Sequence, residues 1–147
     1  MTLVRAMRLD PNRLGEVADA LAAARLPTAD IDEPGRLFLR FDDDAGLIGF
    51  GGLEGDGADC LLRSLVIEPE RRGQGLGRVV LARLETDARA LGTARLHLLT
   101  KTAAPFFRAD GYTDADRRSA PQSIAGSAQF RSLCPASASY MVKALTV

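Results

Sequence analysis

Apolar and polar positions change their spacing several times along the chain, and each change indicates a different element. Near the N-terminus, apolar residues recur at helical spacing: Leu14, Val17, Ala18 and Leu21. Asp10 can cap this helix and Pro11 can occupy its first position. The pattern therefore predicts a first helix that runs to about Ala24.

Two strands follow, with a polar loop between them. The strands are predicted from Arg36 to Phe41 and from Leu47 to Glu54, and the loop contains three aspartates and Gly46. A loop of this composition between two strands is typical of a hairpin. The sheet is therefore expected to begin antiparallel.

A strand, a glycine-spaced turn and a helix come next. Residues 60–68 form a mostly apolar run, and residues 76–91 repeat apolar positions along one helical face before Gly92 ends the pattern. A further strand is predicted at 95–100, which makes a parallel crossover unit. A last strand is expected from Ser139 to Leu145, after a polar stretch, 117–138, that is long enough to fold over a substrate.

The turn itself has the chemistry of a phosphate site. Arg71 and Arg72 stand beside Gly73, Gly75 and Gly77 at the start of the helix. Amide groups at a helix start are unpaired, the helix dipole adds positive potential, and glycines let an anion approach the main chain. The turn lacks the lysine of a P-loop, and it matches the dinucleotide-binding fingerprint poorly. An anionic ligand other than a P-loop nucleotide or NAD is favoured.

The motif Arg72-x-x-Gly75-x-Gly77, after an apolar strand and Pro69, resembles the acetyl-CoA motif of the GCN5-related N-acetyltransferases (GNAT). The resemblance implies that main-chain amides hold the pyrophosphate and that the preceding strand pairs with the pantetheine arm. The implied acetyl-CoA-binding residues are Leu65, Val66, Ile67, Arg72, Gly73, Gln74, Gly75, Leu76 and Gly77. The implied fold is α/β (α+β), with a mixed central sheet of about six to seven strands flanked by helices.

A later stretch, 103–112, resembles the family's next helix and its closing Gly-aromatic pair. Many relatives carry a tyrosine there that returns a proton to the departing thiolate, but this chain has Phe107, which has no exchangeable proton. Water, Tyr112, Tyr140 and the ammonium product remain open as the proton source.

Segments at 26–30, 51–54, 62–65 and 133–138 resemble a narrower branch, the arsenic-resistance N-acetyltransferases. This resemblance implies a small-molecule acceptor, the amine of an arsenic-containing amino acid or of its phosphorus analogue phosphinothricin, and a role in detoxification. The alternative is a non-catalytic CoA-binding sensor or partner module with the same fold.

The composition indicates which binding partners and which cellular location are expected. The 147 residues suit one domain, 1–147, and 19 basic and 19 acidic residues cancel, so neither nucleic acid nor an anionic membrane is indicated. Without an apolar run of roughly 20 residues or a secretion signal, the expected location is the cytoplasm. Cys60 and Cys134 are too few for a disulfide framework or a metal site, so no metal is predicted. Similar domains are often homodimers, and the sequence leaves the oligomeric state open.

Glu54 is the first candidate for the catalytic base. Strand alternation places it on the face of Ile48, Phe50 and Gly52, and the Gly51-Gly52 pair would let a substrate approach the backbone. The alternative is a solvated glutamate at a strand end. Glu68 is expected to hold the arginines of the turn, and His97 and Cys134 rank lower as catalytic candidates.

The candidate substrate-binding residues are Arg63, Thr28 and Asp30. Arg63 interrupts an apolar strand, and a guanidinium can bind a substrate oxyanion with two hydrogen bonds. Thr28 and Asp30 could then bind an amino group on the opposite side. The alternative is an outward-facing or salt-bridged Arg63, and polyamines are disfavoured because no acidic cluster is evident.

Overall fold

The computed structural model describes residues 3–55, 57–133 and 137–145, with side chains for all of these except 132 and 133. These residues form a seven-stranded sheet in the order β1-β2-β3-β4-β5-β7-β6. The strands are β1 (Arg5–Arg8), β2 (Arg36–Asp43), β3 (Gly46–Glu54), β4 (Asp59–Ile67), β5 (Arg95–Thr100), β6 (Thr113–Asp114) and β7 (Ser139–Ala144). The helices are α1 (Gly15–Ala23), α2 (Leu76–Ala90), α3 (Ala104–Ala109) and α4 (Gln122–Ala125).

The predicted fold class is confirmed. β4 and β5 run parallel and are joined through α2, whereas the other strand pairs are antiparallel. The predicted strand–turn–helix–strand unit therefore lies in the middle of a mixed sheet. Short helical turns at Pro11–Arg13, Pro69–Arg71, Arg117–Ser119 and Gln129–Leu133 complete the described elements.

The predicted start of the first helix is wrong. Residues Pro11–Arg13 form a tight 3₁₀ turn, and α1 begins at Gly15. Asp10 makes no capping hydrogen bond through its side chain; its carbonyl oxygen accepts from the Arg13 amide instead. The chain therefore tightens after Pro11 and restarts as an α-helix, which ends at Ala23, one residue before the predicted end.

The hairpin of β2 and β3 is confirmed, but its pairing shifts by one residue between Phe41 and Asp42. Ile48 consequently packs in the cluster with Phe41, on the α2 side of the sheet, while Phe50 packs on the α1 side. The predicted common face of Ile48, Phe50 and Glu54 is therefore wrong for Ile48, because an irregularity in the register breaks the alternation.

Two short strands, β1 and β6, were not predicted from the sequence. β1 consists of four residues in which arginines flank apolar ones, and β6 has only two residues. Both are edge strands of the sheet: β1 pairs with β2, and β6 pairs with β7. Segments this short do not contain enough alternation to predict a strand.

Helices cover both faces of the sheet. α2 and α3 pack on the larger apolar cluster, whose fully buried members include Val80, Leu81 and Leu84. α1 buries Val17 and Leu21 against Phe38 and Phe50 on the opposite face. α4 also lies against β4, with Ile124 buried.

A bulge in β4 opens the sheet. Ser64 has a positive φ of 60°, and Gly51 faces both Ser64 and Leu65, because the pairs on either side are Gly52 with Arg63 and Phe50 with Val66. Such a bulge bends its strand. The paired positions of β4 and β5 end with Leu61 and His97. Beyond that pair the two parallel strands separate and leave a wedge between them.

Candidate active site

A cleft of about 860 Å³ occupies the wedge between β4 and β5. Residues 62–67 of β4 line one wall, and residues 98–100 of β5 line the other. The outer end is formed by residues 71–73 and 75–78, at the turn that leads into α2. The cleft therefore joins the predicted phosphate turn to the point where the strands part.

The turn, residues 72–77, owes its shape to its glycines. Gly73 and Gly75 have φ values of 79° and 76°, in the left-handed region that only glycine adopts at low cost. Gly75 directly precedes α2, so the unpaired amides of the first helical turn face the end of the cleft. A Cβ atom at Gly77 would lie 3.3 Å from the ring of Phe106. Two glycines thus shape the turn, and the third permits close packing of α2.

Arg71 fixes this turn to the hairpin of β2 and β3. Its guanidinium pairs with Asp43 and donates to the carbonyl oxygens of Gly46 and Leu47, each at 3.2 Å. The hydrogen bond from Arg71 holds the pKa of Asp43 below its usual value. The partner predicted for the arginines of the turn was Glu68, but the partner of Arg71 is Asp43, which no sequence motif identifies.

The structure brings most of the predicted acetyl-CoA residues to the cleft wall. Arg72 is exposed there and is oriented by a 3.0 Å hydrogen bond from its Nε to the carbonyl oxygen of Ile67. Gln74 is exposed but does not line the cleft. The other predicted members that line the cleft are Leu65, Val66, Ile67, Gly73, Gly75, Leu76 and Gly77. Their individual contacts with acetyl-CoA stay predictions.

Four charged residues next to the bulge form one ion network: Asp30, Arg36, Glu54 and Arg63. The side chain of Arg63 is fully buried and donates to both oxygens of Asp30, at 2.7 and 2.8 Å. It also donates to Oε1 of Glu54 at 2.9 Å. Arg36 completes the network, with its Nη2 2.8 Å from Asp30 Oδ2 and 3.5 Å from Glu54 Oε2.

The network changes how the predicted substrate residues are interpreted. Burial alone would raise the pKa of Asp30, but hydrogen bonds from Arg63 and Arg36 outweigh it and lower the pKa from 3.8 to about 2. Arg63 is the salt-bridged arginine that the sequence left open as an alternative. Asp30 binds Arg63 instead of standing across a cavity from it, and Thr28 is half-buried in the same loop. Contact of these three residues with a substrate stays a prediction.

Glu54 borders a second, smaller cavity, the recess, of about 170 Å³. Its side chain is only 12% exposed, so the alternative of a solvated strand-end glutamate does not describe it. The recess is lined by Glu54, Gly55, Gly57, Ala58, Asp59, Leu61, Ser123, Ile124 and Ser127. The polar stretch 117–138 therefore contributes to a cavity through α4, and its contact with a substrate stays a prediction.

The glycines beside Glu54 serve packing. A Cβ atom at Gly51 would lie 2.5 Å from a methyl carbon of Leu84, and one at Gly52 would lie 2.9 Å from the ring of Phe38. Those side chains occupy the space that the sequence analysis assigned to an approaching substrate, so that expectation is wrong. The glycines instead let α2 and Phe38 press against β3.

Phe107, which replaces the expected tyrosine, is 7% exposed and lines the cleft. Its ring meets those of Phe106 and Tyr112 edge to face, at centroid distances of 5.1 and 5.5 Å. Tyr112 donates to Oε2 of Glu85 at 2.9 Å, and Lys143 also pairs with that carboxylate. Burial and the nearby charge of Glu85 raise the pKa of Tyr112 far above its usual value. Tyr112 is thus committed to a contact with α2.

Metal-binding clusters and membrane-spanning helices are absent from the described part of the chain. It contains no group of three or more His, Cys, Asp or Glu residues placed to bind a metal ion. None of the helices formed by residues 3–55, 57–133 and 137–145 is long and apolar enough to span a membrane.

Cys60 is buried as a free thiol that accepts a 3.2 Å hydrogen bond from Thr93. Cys134 lies outside the described residues.

Comparison with known proteins agrees with this architecture. The model of the acetyltransferase (GNAT) domain family matches residues 34–114, more than half of the chain. No curated protein sequence matches the chain.

Several solved structures share the fold at low sequence identity. N-acetylglutamate synthase from Neisseria gonorrhoeae, complexed with coenzyme A and L-arginine, superposes with a TM-score of 0.80 at 18% identity over 100% of this chain. The chain spans only 34% of that synthase's length. The ribosomal-protein-S18-alanine N-acetyltransferase from Escherichia coli gives a TM-score of 0.72 at 16% identity, with 99% of this chain and 96% of that one covered.

PaiA N-acetyltransferase from Thermoplasma acidophilum, in complex with coenzyme A, gives a TM-score of 0.66 at 16% identity, with 97% of this chain and 99% of that one covered. The resemblance that the sequence motif indicated is thereby confirmed at the level of the family. The chain belongs to the acetyltransferase (GNAT) domain family.

Proposed function

We propose that the protein is an acyltransferase that uses acetyl-CoA and acetylates the amine of a small molecule. The observation that carries the proposal is the recess beside Glu54, which β4 lines with Asp59 and Leu61, whereas the cleft is lined by the later β4 residues 62–67. At about 170 Å³ it is close in size to a cavity that admits benzene. Such a space suits the reacting end of a small acceptor.

The donor would lie along the cleft with its phosphates on the turn, residues 72–77. The amides of the turn would bind the pyrophosphate, and Arg72 would add a positive charge at the exposed end. The main chain of Leu65, Val66 and Ile67 would pair with the pantetheine arm as an added strand does. This arrangement brings the thioester to the point where β4 and β5 part.

Glu54 is proposed as the general base. An amine attacks a thioester only in its neutral form, so a base must take a proton from the ammonium group, and a carboxylate near the acceptor can do so. Arg63 and Arg36 contact different oxygens of Glu54 and fix its orientation at the edge of the recess. Main-chain donors at the bulge would polarise the thioester carbonyl.

An arsenic- or phosphorus-containing amino acid is the proposed acceptor class. The similarity of several segments to the arsenic-resistance branch supports it, and so does the position of Arg63 beside Glu54. The geometry adds a condition, because Asp30 already occupies both terminal nitrogens of Arg63. A substrate oxyanion would have to replace Asp30 there, with Thr28 and Asp30 turning to the amino group.

The direct test is release of CoA thiol from acetyl-CoA in the presence of an amine panel: phosphinothricin, arsenical amino acids, common amino acids, polyamines and simple alkylamines. We expect amine-dependent release with small amino acids, greatest with the oxyanion-bearing ones. Equal release with phosphinothricin and an alkylamine of similar size would exclude the acceptor class but keep the reaction. The absence of amine-dependent release, in a protein that still binds acetyl-CoA, would contradict the proposal.

A further inference from the structure

The structure offers a proton-handling group in place of the tyrosine that Phe107 replaces. Tyr140 on β7 is buried, and its hydroxyl oxygen lies 2.7 Å from Nδ1 of His97. Nε2 of His97 lies 2.7 Å from Oδ1 of Asp59. These three side chains, the Tyr140–His97–Asp59 chain, are hydrogen-bonded in series and belong to three adjacent strands.

The chemistry of the partners fixes the direction of both hydrogen bonds. An ionised carboxylate only accepts, so Nε2 of a neutral His97 carries the proton and donates to Asp59. Nδ1 is then the acceptor, and the Tyr140 hydroxyl donates to it. Hydrogen bonds from Arg95 and then His97 lower the pKa of Asp59 despite its partial burial, so the carboxylate end stays ionised. The arrangement matches the order of a hydroxyl, an imidazole and a carboxylate in a catalytic triad.

The Tyr140–His97–Asp59 chain lies close to residues that line both cavities. His97 is opposite Leu61, the last pair before β4 and β5 separate. Tyr140 is the cross-strand partner of Leu99, which lines the cleft, and Asp59 lines the recess. The Tyr140–His97–Asp59 chain therefore connects a residue that lines the recess with the cross-strand neighbour of a residue that lines the cleft.

Aromatic packing fixes the positions of the Tyr140 and His97 side chains. The rings of Tyr140 and His97 stack within 10° of parallel, and Phe130 packs edge-on against Tyr140. Burial and the charge of Asp59 raise the pKa of Tyr140, so its hydroxyl stays protonated near neutral pH. Charged groups nearby include Arg95, which pairs with Asp59, Glu54, which is the cross-strand partner of Leu61, and Arg117, which lies over the ring of Phe130.

We propose that Tyr140, supported by His97 and Asp59, transfers the proton between the attacking amine and the departing thiolate. The inference rests on the proposed function. Tyr112 does not compete for this role, because its hydroxyl is bonded to Glu85 on the other side of the sheet.

The steps balance without a further reactant. Attack of the neutral amine on the thioester carbonyl forms the C–N bond and leaves a proton on nitrogen and a negative charge on oxygen. The nitrogen proton passes to the Tyr140 oxygen as the Tyr140 proton moves to Nδ1 of His97, and Asp59 stabilises the imidazolium. When the C–S bond breaks, its electron pair goes to sulfur. The thiolate takes the Tyr140 proton, and His97 returns its own, which restores the starting state.

The test compares two buried tyrosines that each lose one hydroxyl. Tyr140→Phe and Tyr112→Phe are assayed for thiol release with the best acceptor, and acetyl-CoA affinity and thermal stability are measured for both. We expect Tyr140→Phe to lower kcat by about a hundredfold with unchanged acetyl-CoA affinity, and Tyr112→Phe to retain kcat. Asp59→Asn should lower kcat in the same direction, because the imidazolium loses its counter-charge.

The possible failures are distinct. If kcat for Tyr140→Phe stays within about threefold of that for Tyr112→Phe, the inference is wrong and the proposed function stands. If kcat, acetyl-CoA affinity and thermal stability all fall together in both Tyr140→Phe and Asp59→Asn, the chain has only a structural role. If neither the wild type nor Tyr112→Phe shows amine-dependent release of CoA thiol, the proposed function is wrong. The inference about Tyr140 is then wrong as well, because it rests on that function.

Discussion

The two halves of the proposed site, one for the acetyl donor and one for the acceptor, differ in the groups that form them. In the proposed donor half, the cleft with its turn at residues 72–77, glycines with left-handed φ shape the turn whose main-chain amides would bind the phosphates. The acceptor half, around Glu54, is formed by side chains that come from separate segments and neutralise one another. The proposed donor half therefore depends mainly on the shape of the backbone, whereas the proposed acceptor half depends on the identity of each charged side chain.

The contrast between the two halves also predicts how substitutions affect each of them. A site made of main chain depends on backbone angles and tolerates most side-chain changes. A buried ion network depends on every member, because removing one charge leaves another buried without a partner. Substitutions in the two halves should therefore separate ligand affinity from stability.

The largest effect on stability is expected for Arg63→Ala. It leaves Asp30 buried and opposed only by Arg36, and breaking a buried pair in this way costs about 3–5 kcal/mol. Urea unfolding measures the change. The matched control is Arg5→Ala, whose pair with Asp44 has side chains 53% and 80% exposed, and which should cost about 0–1 kcal/mol. Similar losses for the two variants would refute the structural importance of the network.

The next effect concerns the donor half. Gly75→Val places a branched residue at a φ of 76°, and the control Gly92→Val does the same at a φ of 90° beyond the other end of α2. Each should cost at least about 1–2 kcal/mol of stability. Only Gly75→Val should also weaken acetyl-CoA binding, by about tenfold or more, in a calorimetric titration. Equal affinities in the two variants would contradict a phosphate site at the turn.

A smaller effect is expected from pH. The pKa of Asp30 is about 2 in the folded chain and 3.8 without its partners, so its contribution to stability is present above about pH 4 and is lost as the pH falls towards 2. Urea unfolding of the wild type and of Asp30→Asn between pH 5 and 2 tests this. The stability difference between the two proteins should shrink on acidification. A difference that stays constant would mean that Asp30 is not held ionised by the arginines.

The smallest effect is expected for Phe107→Tyr. The new hydroxyl lies at the cleft, but if Tyr140 already transfers the proton, kcat should change by only about a few-fold. In the Tyr140→Phe background the same change should restore part of the lost rate. Phe106→Tyr, which adds a hydroxyl to the neighbouring ring, is the control. A large gain from Phe107→Tyr in the wild type would show that no other group handles the proton.

The same contrast explains what the sequence could predict. The turn was identified from Arg72, Gly75 and Gly77 because a main-chain site leaves a local motif in the residues that shape it. β4, α2 and β5 were predicted in order because each is long enough to show its own period. The sheet and its parallel unit followed from these elements.

The acceptor half left no comparable pattern. Arg36 and Asp59 are single charges at strand ends, and nothing local indicates that they meet Asp30 or His97 in the folded chain. The bulge at Ser64 is marked only by two polar residues in an apolar strand. Pairings across distant segments depend on the register of the sheet, which the sequence alone did not fix.

Glu54→Gln tests the division into two halves most directly, with acetyl-CoA affinity and amine-dependent thiol release measured on the same preparation. Glutamine keeps an oxygen that can accept from Arg63 but cannot take a proton from an ammonium group. Unchanged acetyl-CoA affinity with kcat lowered by about a hundredfold is the predicted result. Full turnover in Glu54→Gln, or loss of acetyl-CoA binding together with turnover, would contradict it.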